Sequence, residues 1–148
     1  MTGKKFILCG LIGWCIEVAF TSFVAGMKRD KKLTGRTSAW MFPIYGLACI
    51  ISVIYPKIRH WSVFFRALLY GITIMSTEFL TGSLLTRFDL CPWCYKHAKL
   101  SVRGVIRLDY LPLWMLTGLF YEWFLQQLQA SEVSKNVDFR RKKEHTIR

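Results

Sequence analysis

Residues 6–26 read FILCGLIGWCIEVAFTSFVAG, an apolar run that follows Lys4 and Lys5. A helix needs roughly 20 apolar residues to cross the hydrocarbon core of a bilayer, and this run is long enough. A cleaved signal peptide also joins a positive start to an apolar run. However, Glu17 lies in the middle of this run and no A-x-A cleavage pattern follows it. We therefore predict a retained transmembrane helix over residues 6–26.

Three more apolar blocks follow, at residues 38–55, 62–85 and 111–128. The first of them contains Pro43 and Gly46, which predict a kink or a late helix start. The link at residues 56–60 is short, so the helices on either side of it should be antiparallel neighbours. The pattern predicts an all-α integral membrane bundle of about four transmembrane helices, in one membrane domain over residues 1–130.

Residues 86–110 are too polar to cross a membrane, but they are rich in cysteine, tryptophan and tyrosine. Aromatic side chains such as Trp93, Tyr95 and Tyr110 are typical of headgroup depth. We predict an ordered interfacial loop that folds against one end of the bundle as a cap. Residues 131–148 are polar and basic, and we predict that they form a disordered tail.

The chain is 53% hydrophobic and yet carries a net charge of +12. The apolar residues are sorted into blocks, and the lysines and arginines lie between the blocks and in the tail. Basic loops of this kind predict contact with anionic membrane lipids. Nucleic acid is not an expected partner, because no basic stripe lies outside the membrane blocks except the short tail. We predict a multi-pass protein of the plasma (cell) membrane.

The orientation in the membrane stays open. With four spans, ten lysines and arginines fall on each side, so the positive-inside rule gives no preference.

Acidic residues within the apolar blocks are the strongest sign of a site. A charge at mid-membrane costs about 2.5–3.5 kcal/mol, so Glu17, Glu78 and Glu122 should point into the bundle, be protonated or find a cation. Each lies four residues from a glycine and therefore on a thinned helix face where helices can approach closely. Arg66 is the one basic residue within a span and the expected partner of at least one acid. The acids could equally be structural or form a site for a substrate, ion or proton.

The sequence Cys91-Pro92-Trp93-Cys94 allows a redox interpretation, because two thiols at this spacing can form and exchange a disulfide. A membrane thiol–disulfide oxidoreductase that uses Cys91 and Cys94 is the alternative function. Such enzymes need a second cysteine pair, and Cys9, Cys15 and Cys49 lie in apolar blocks where cysteine is commonly a small hydrophobe. No metal site is predicted, because two cysteines and His97 leave a zinc site one ligand short. No cofactor is expected.

Five motifs occur in order along the chain: Gly13-Trp14 with Glu17, Phe42 to Gly46, Glu78 to Gly82, Cys91-Pro92-Trp93 with Tyr95, and Gly104 to Tyr110 with Trp114. Together they resemble the family labelled putative ABC-transporter type IV, which includes the animal transmembrane protein 229 group. The resemblance implies a small polytopic membrane protein whose activity is not established. The family tends to read Trp-Asp-Tyr-Ser where this chain reads Trp93-Cys94-Tyr95-Lys96, so the second cysteine is a departure.

We expect a transport-associated, small-molecule-binding or lipid-binding membrane protein with an internal polar site, rather than an enzyme. The residues predicted for the site are Glu17, Glu78 and Arg66, with Tyr45, Asp89, Trp93 and Arg107 at its mouth. The expected partners are membrane lipids and either a second copy or another membrane chain, because so small a bundle leaves little room for a solute path. Two other functions stay open: an enzyme acting on lipid, with carboxylates and His97 as acid–base groups, and an interaction protein without chemistry.

Overall fold

Apolar helices make up most of the computed structural model, which describes the backbone of residues 2–146 and the side chains of residues 3–135 and 137. Its elements in chain order are α1 (Thr2–Met27), α2 (Met41–Gly46), a 3₁₀ turn (Leu47–Ile50), α3 (Ile51–Ile58), α4 (Val63–Arg87), β1 (Ser101–Val102), β2 (Ile106–Arg107), a second 3₁₀ turn (Leu108–Tyr110) and α5 (Leu111–Thr146).

Three helical stretches are long and apolar enough to cross a membrane: Gly3–Met27, Met41–Ile58 and Val63–Arg87. Many of their large apolar side chains point outward and are exposed, as expected where lipid tails surround a protein. These features confirm the predicted all-α membrane bundle. The fourth predicted span, residues 111–128, is helical in α5, but Glu122 and two glutamines make it less apolar than the other three.

The helix bounds differ from the prediction by a few residues at most ends, and two of the differences have a clear physical reason. The second helix begins at Met41 instead of residue 38, so that Pro43 falls in its first turn, where backbone N–H groups have no partner within the helix. The predicted disordered tail is helical from residue 131 to Thr146, because α5 continues through a segment with several good helix formers. Residues 147–148 of that tail lie outside the described residues.

Glycines set the distance between neighbouring helices, as the sequence predicted. A Cβ atom at Gly13 of α1 would overlap the ring of Tyr45 in α2, and one at Gly118 of α5 would overlap Tyr70 in α4. In lipid, such close packing replaces the hydrophobic force that holds soluble helices together. Tyr121 of α5 also donates a hydrogen bond of 3.1 Å to the backbone oxygen of Cys9 in α1. These contacts join all four helical columns.

The segment between α4 and α5 folds back along the bundle, so it is more than a loop at its end. Trp93 and Val105 both pack against Gly82 of α4, and Leu111 at the start of α5 lies beside Gly71. Gly71 is 16 residues before Arg87, which ends α4, or about 24 Å along the helix axis. The start of α5 therefore lies deep inside the bundle, and the intervening residues form a re-entrant cap.

A short antiparallel hairpin holds this cap together. Strands β1 and β2 pair Val102 with Ile106, and Arg103 and Gly104 at the turn both have positive φ, as tight hairpin turns require. The backbone oxygen of Gly104 accepts a bond of 2.8 Å from the Tyr95 amide. That of Val105 accepts one of 2.8 Å from the indole nitrogen of Trp93. The hairpin thus fixes the backbone at Tyr95 and the side chain of Trp93.

Gly13→Ala should destabilise the protein, because the added methyl group would overlap Tyr45 at the contact between α1 and α2. Overpacking of this kind costs about 1–3 kcal/mol. The melting temperature of the purified protein in detergent, followed by intrinsic fluorescence, should fall. Gly3→Ala is the matched control, because a Cβ at Gly3 meets nothing within 4 Å. Equal melting temperatures for the two variants would contradict close packing at Gly13.

Candidate functional site

A cavity of about 550 Å³ lies under the cap, between α1, α2, α4 and α5. We call it the chamber. Four of the predicted site residues line it: Glu17, Tyr45, Glu78 and Trp93. They come from three helices and the cap, so the structure brings together residues that are up to 76 positions apart in the sequence.

Glu17 lies in the chamber wall and is partly exposed. One of its oxygens, Oε2, accepts a hydrogen bond of 2.5 Å from the hydroxyl of Thr37 in the loop between α1 and α2. That loop is itself fixed to α1 by a bond of 2.9 Å from the indole of Trp14 to the Ser38 oxygen. A neutral hydroxyl is thus the hydrogen-bond partner that the structure gives Glu17.

Glu78 is buried, with 7% of its surface exposed, and its carboxylate is poorly satisfied. Oε1 accepts a long bond of 3.4 Å from the Tyr95 hydroxyl, while Oε2 is buried and has no partner among the described residues. The indole nitrogen of Trp114, in the same wall, is also buried without a hydrogen bond, and it lies close to the Glu78 carboxylate without reaching hydrogen-bond geometry. Three other buried side-chain atoms among the described residues also have no partner, those of Ser83, Ser101 and Glu132, but these residues do not line the chamber. Unpaired buried polar groups are uncommon in native proteins, so the two in the chamber wall need an explanation.

Aromatic side chains form most of the remaining wall: Phe20, Tyr45, Trp93, Tyr95, Tyr110, Trp114 and Tyr121. The rings of Tyr95 and Tyr110 meet edge to face, 5.9 Å apart. Burial raises the pKa of the Tyr95 hydroxyl above its usual range, and the negative charge of Glu78 acts in the same direction. Tyr95 therefore stays a neutral hydrogen-bond donor at physiological pH.

Arg66 does not lie in the chamber, which corrects the prediction that it joins Glu17 and Glu78 there. Its guanidinium binds Glu122 through two hydrogen bonds of 3.0 Å, and the Tyr70 hydroxyl donates a third of 2.7 Å to the same carboxylate. Arg66 is 12 residues from Glu78 on the same helix, about 18 Å along the axis, so those two cannot meet. Arg66 and Glu122 form a separate ion pair inside the bundle.

Arg107 does not line the chamber, but it contacts Tyr110, which does. It donates to the Asp109 carboxylate and lies over the ring of Tyr110, 4.3 Å from its centre, and Tyr110 lines the chamber. The hydrogen bond from Arg107 lowers the pKa of Asp109 below its usual value, so the pair persists in mild acid. Arg107 therefore orients part of the wall instead of forming the mouth directly.

Asp89 is exposed and does not line the chamber. It has a φ of 56°, and the amide of Leu90 bonds to the Leu85 oxygen while that of Asp89 bonds to the Thr86 oxygen. This is the Schellman pattern that ends helices. The role that the structure gives Asp89 is to end α4 and turn the chain into the cap.

All five cysteines are free thiols. Cys91 is half-buried and donates a bond of 3.3 Å to the backbone oxygen of Trp93, while Cys94 is exposed and lines the chamber. Within the described part of the chain, no group of three or more His, Cys, Asp and Glu side chains could hold a metal ion.

Several wall residues were not predicted from the sequence, among them Tyr95, Tyr110, Trp114 and Thr37. The three aromatic residues were assigned to headgroup depth, which is the usual place for tyrosine and tryptophan in membrane proteins. The signal that could have identified them is the number of aromatic residues in a single polar loop. Thr37 carries no local signal, since only the fold brings it to Glu17.

A family model described as Putative ABC-transporter type IV matches residues 5–143. The chain belongs to this family. Membership of the Putative ABC-transporter type IV family confirms the resemblance seen in the five motifs and marks the chain as a transport-associated membrane protein. The matched residues include the whole chamber, the cap and the Arg66–Glu122 pair. No solved structure matches the chain.

Arg66→Met should strongly destabilise the bundle, because it leaves the buried Glu122 carboxylate without its cation. Breaking one side of a buried pair costs about 3–5 kcal/mol. Arg66→Met combined with Glu122→Leu should recover part of that loss, since neither charge then remains. Unfolding of the purified protein in mixed micelles of increasing denaturing detergent measures the free energies.

Lys4→Met is the control for this pair, because Lys4 is largely exposed and lies 3.6 Å from Glu132. It should change the free energy of unfolding by less than about 1 kcal/mol. If the losses from Arg66→Met and Glu122→Leu simply add in the double variant, the pair is not the stabilising unit described here.

Proposed function

We propose that this chain is a membrane-embedded binding protein, associated with transport, that holds a small molecule or lipid in the chamber. The observation that carries the proposal is Glu78, which lines the chamber and whose Oε2 atom is buried without a hydrogen-bond partner in the described structure. In a low-dielectric interior an unpaired carboxylate oxygen is costly, and a bound ligand that donates to it would remove that cost.

The Arg66–Glu122 pair supports a binding role for Glu78 by contrast. Glu122 shows how this bundle satisfies a purely structural acid: two bonds from Arg66 and one from Tyr70. Glu78 is buried to the same degree but receives one long bond. The carboxylate of Glu122 thus has several hydrogen-bond donors, whereas that of Glu78 has one distant donor. A structural role alone accounts poorly for this difference.

The cap gives a second line of support. Irregular backbone at membrane depth is tolerated where it is buried in protein or lines a polar cavity. The cap reaches the level of Glu78 and contributes Trp93, Cys94 and Tyr95 to the chamber wall. This arrangement is known from transporters, where interrupted segments surround a substrate.

Transport itself would require another chain in this proposal. The Tyr121–Cys9 bond and the buried side chains around it close the bundle beyond the chamber. A second copy or another membrane protein would therefore have to complete a path. The plasma membrane as the location stays a prediction.

Glu17→Gln with Glu78→Gln should abolish ligand retention, because it removes both carboxylates from the chamber while keeping their size. The full chain would be purified in a mild nonionic detergent, and its bound small molecules and lipids would be identified by mass spectrometry after extraction. A species present with the wild type and lost from the double variant is the expected result.

Glu132→Gln is the matched control, because Glu132 lies in the distal half of α5 and interacts with Lys4 instead of the chamber. It should retain the same species as the wild type. Identical extracts from the wild type and the double variant, both folded by size-exclusion chromatography, would overturn the proposed function.

A further inference from the structure

We propose that the ligand of the chamber is an amphiphile with a protonated amine head and a hydrocarbon tail. The inference rests on the proposed function and adds the chemical class of the ligand. It comes from a second cavity, of about 160 Å³, that lies between the α2–α3 column and α4. We call this cavity the groove.

The groove and the chamber share a wall. Seven residues line both cavities: Met41, Tyr45, Glu78, Trp93, Trp114, Thr117 and Tyr121. Glu78 thus lies between the chamber, which also contains Glu17, and the more apolar groove. A ligand that occupied both spaces would have its polar group at Glu78 and its apolar part in the groove.

The groove suits a hydrocarbon chain. Beyond the shared wall most of its lining is aliphatic, with Ile44, Leu47, Ile50, Ile51, Ile54 and Leu69 among the residues. Tyr70, Thr73 and Thr77 also line it, and each of their hydroxyls donates a hydrogen bond within the protein. Leu47 and Ile50 are also exposed on the outer surface of the membrane-spanning stretch Met41–Ile58. A chain in the groove could therefore continue into the surrounding lipid without meeting an unpaired polar group.

The chamber suits a cation. Glu17 and Glu78 both face it, and neither forms an ion pair within the described part of the chain. Aromatic rings surround them, and the faces of tyrosine and tryptophan attract ammonium groups. Arg36 is the one basic residue among the described wall residues, and its side chain is exposed to solvent.

An N–H donor on the head group fits better than a fully alkylated nitrogen. Glu78 Oε2 has no donor, and Glu17 has a neutral one, the Thr37 hydroxyl. A protonated amine carries three N–H donors and a positive charge, so one head group could serve both carboxylates.

Native mass spectrometry of the full chain in nonionic detergent tests the inference with four probes: dodecylamine, ethanolamine, dodecanol and dodecyl sulfate. Dodecylamine joins the cationic head to the tail, and each of the others lacks one feature or reverses the charge. We expect one dodecylamine per chain, bound at least about tenfold more tightly than any other probe, as a desolvated cation–π and ion contact would give.

Two variants test the binding of the head group and the binding of the tail separately. Glu78→Gln should lower dodecylamine affinity by about tenfold or more, which corresponds to one lost charge-assisted contact. Thr73→Trp should remove the advantage of dodecylamine over ethanolamine, because Thr73 lines the groove and not the chamber. Ser76→Trp is the matched control: like Thr73 it is exposed on α4 and bonds to the backbone four residues before it, but it does not line the groove.

Two results would overturn the inference. Dodecyl sulfate binding as tightly as dodecylamine would show that the chamber does not select a cation, and equal effects of the tryptophan variants would show that the groove does not hold the tail. If no amine binds but an extracted species still depends on Glu17 and Glu78, the amine inference fails and the binding function stands. If that species is also absent, both fail.

Discussion

The structure depends on the hydrogen bonds that the protein supplies to polar groups that water cannot reach. In a bilayer each buried polar group needs a partner within the protein, and Glu122 has a complete set from Arg66 and Tyr70. This pair joins α4 to α5 and sets their relative height, with Gly118 and Tyr70 in contact beside it. The cap must then fill the space between the end of α4 and the deep start of α5. The chamber lies beneath it, bounded by the helices that the pair helps to align.

Much of the fold follows from the sequence alone. Hydropathy is a one-dimensional property, so long apolar blocks locate the spans, and a charge within a block identifies a residue that must face inward. Glu17, Tyr45, Glu78 and Trp93 were found by such reasoning and by motif, and the structure brings them to one cavity. These residues could be selected from the sequence because their cost or their motif is local, and their role in binding stays a prediction.

Most of the incorrect predictions concern where a residue lies along the membrane normal. Arg66 pairs with one of the three acids, as predicted, but it was wrongly placed in the site with Glu17 and Glu78. The start of α5 could not be known, because it depends on the hairpin and on contacts between residues as distant as Gly71 and Leu111. Counting the rise along α4 would still have separated Arg66 from Glu78. Asp89 was assigned to the mouth by composition, whereas its backbone conformation ends α4. The helical continuation of α5 likewise overrides a composition that suggested disorder.

The irregular backbone of the cap and the cavity beneath it depend on each other. A hairpin folded deep into a membrane bundle leaves irregular backbone where lipid could not satisfy it, so such a segment persists only if it lines protein or a polar space. Here the carbonyls of Gly104 and Val105 accept hydrogen bonds from the Tyr95 amide and the Trp93 indole, and both residues line the chamber. If the acids only fixed the helix register, a loop without a hairpin and a second arginine to pair with them would be sufficient. The presence of an aromatic wall opposite an unpaired carboxylate is the feature that favours a bound ligand over a purely structural role.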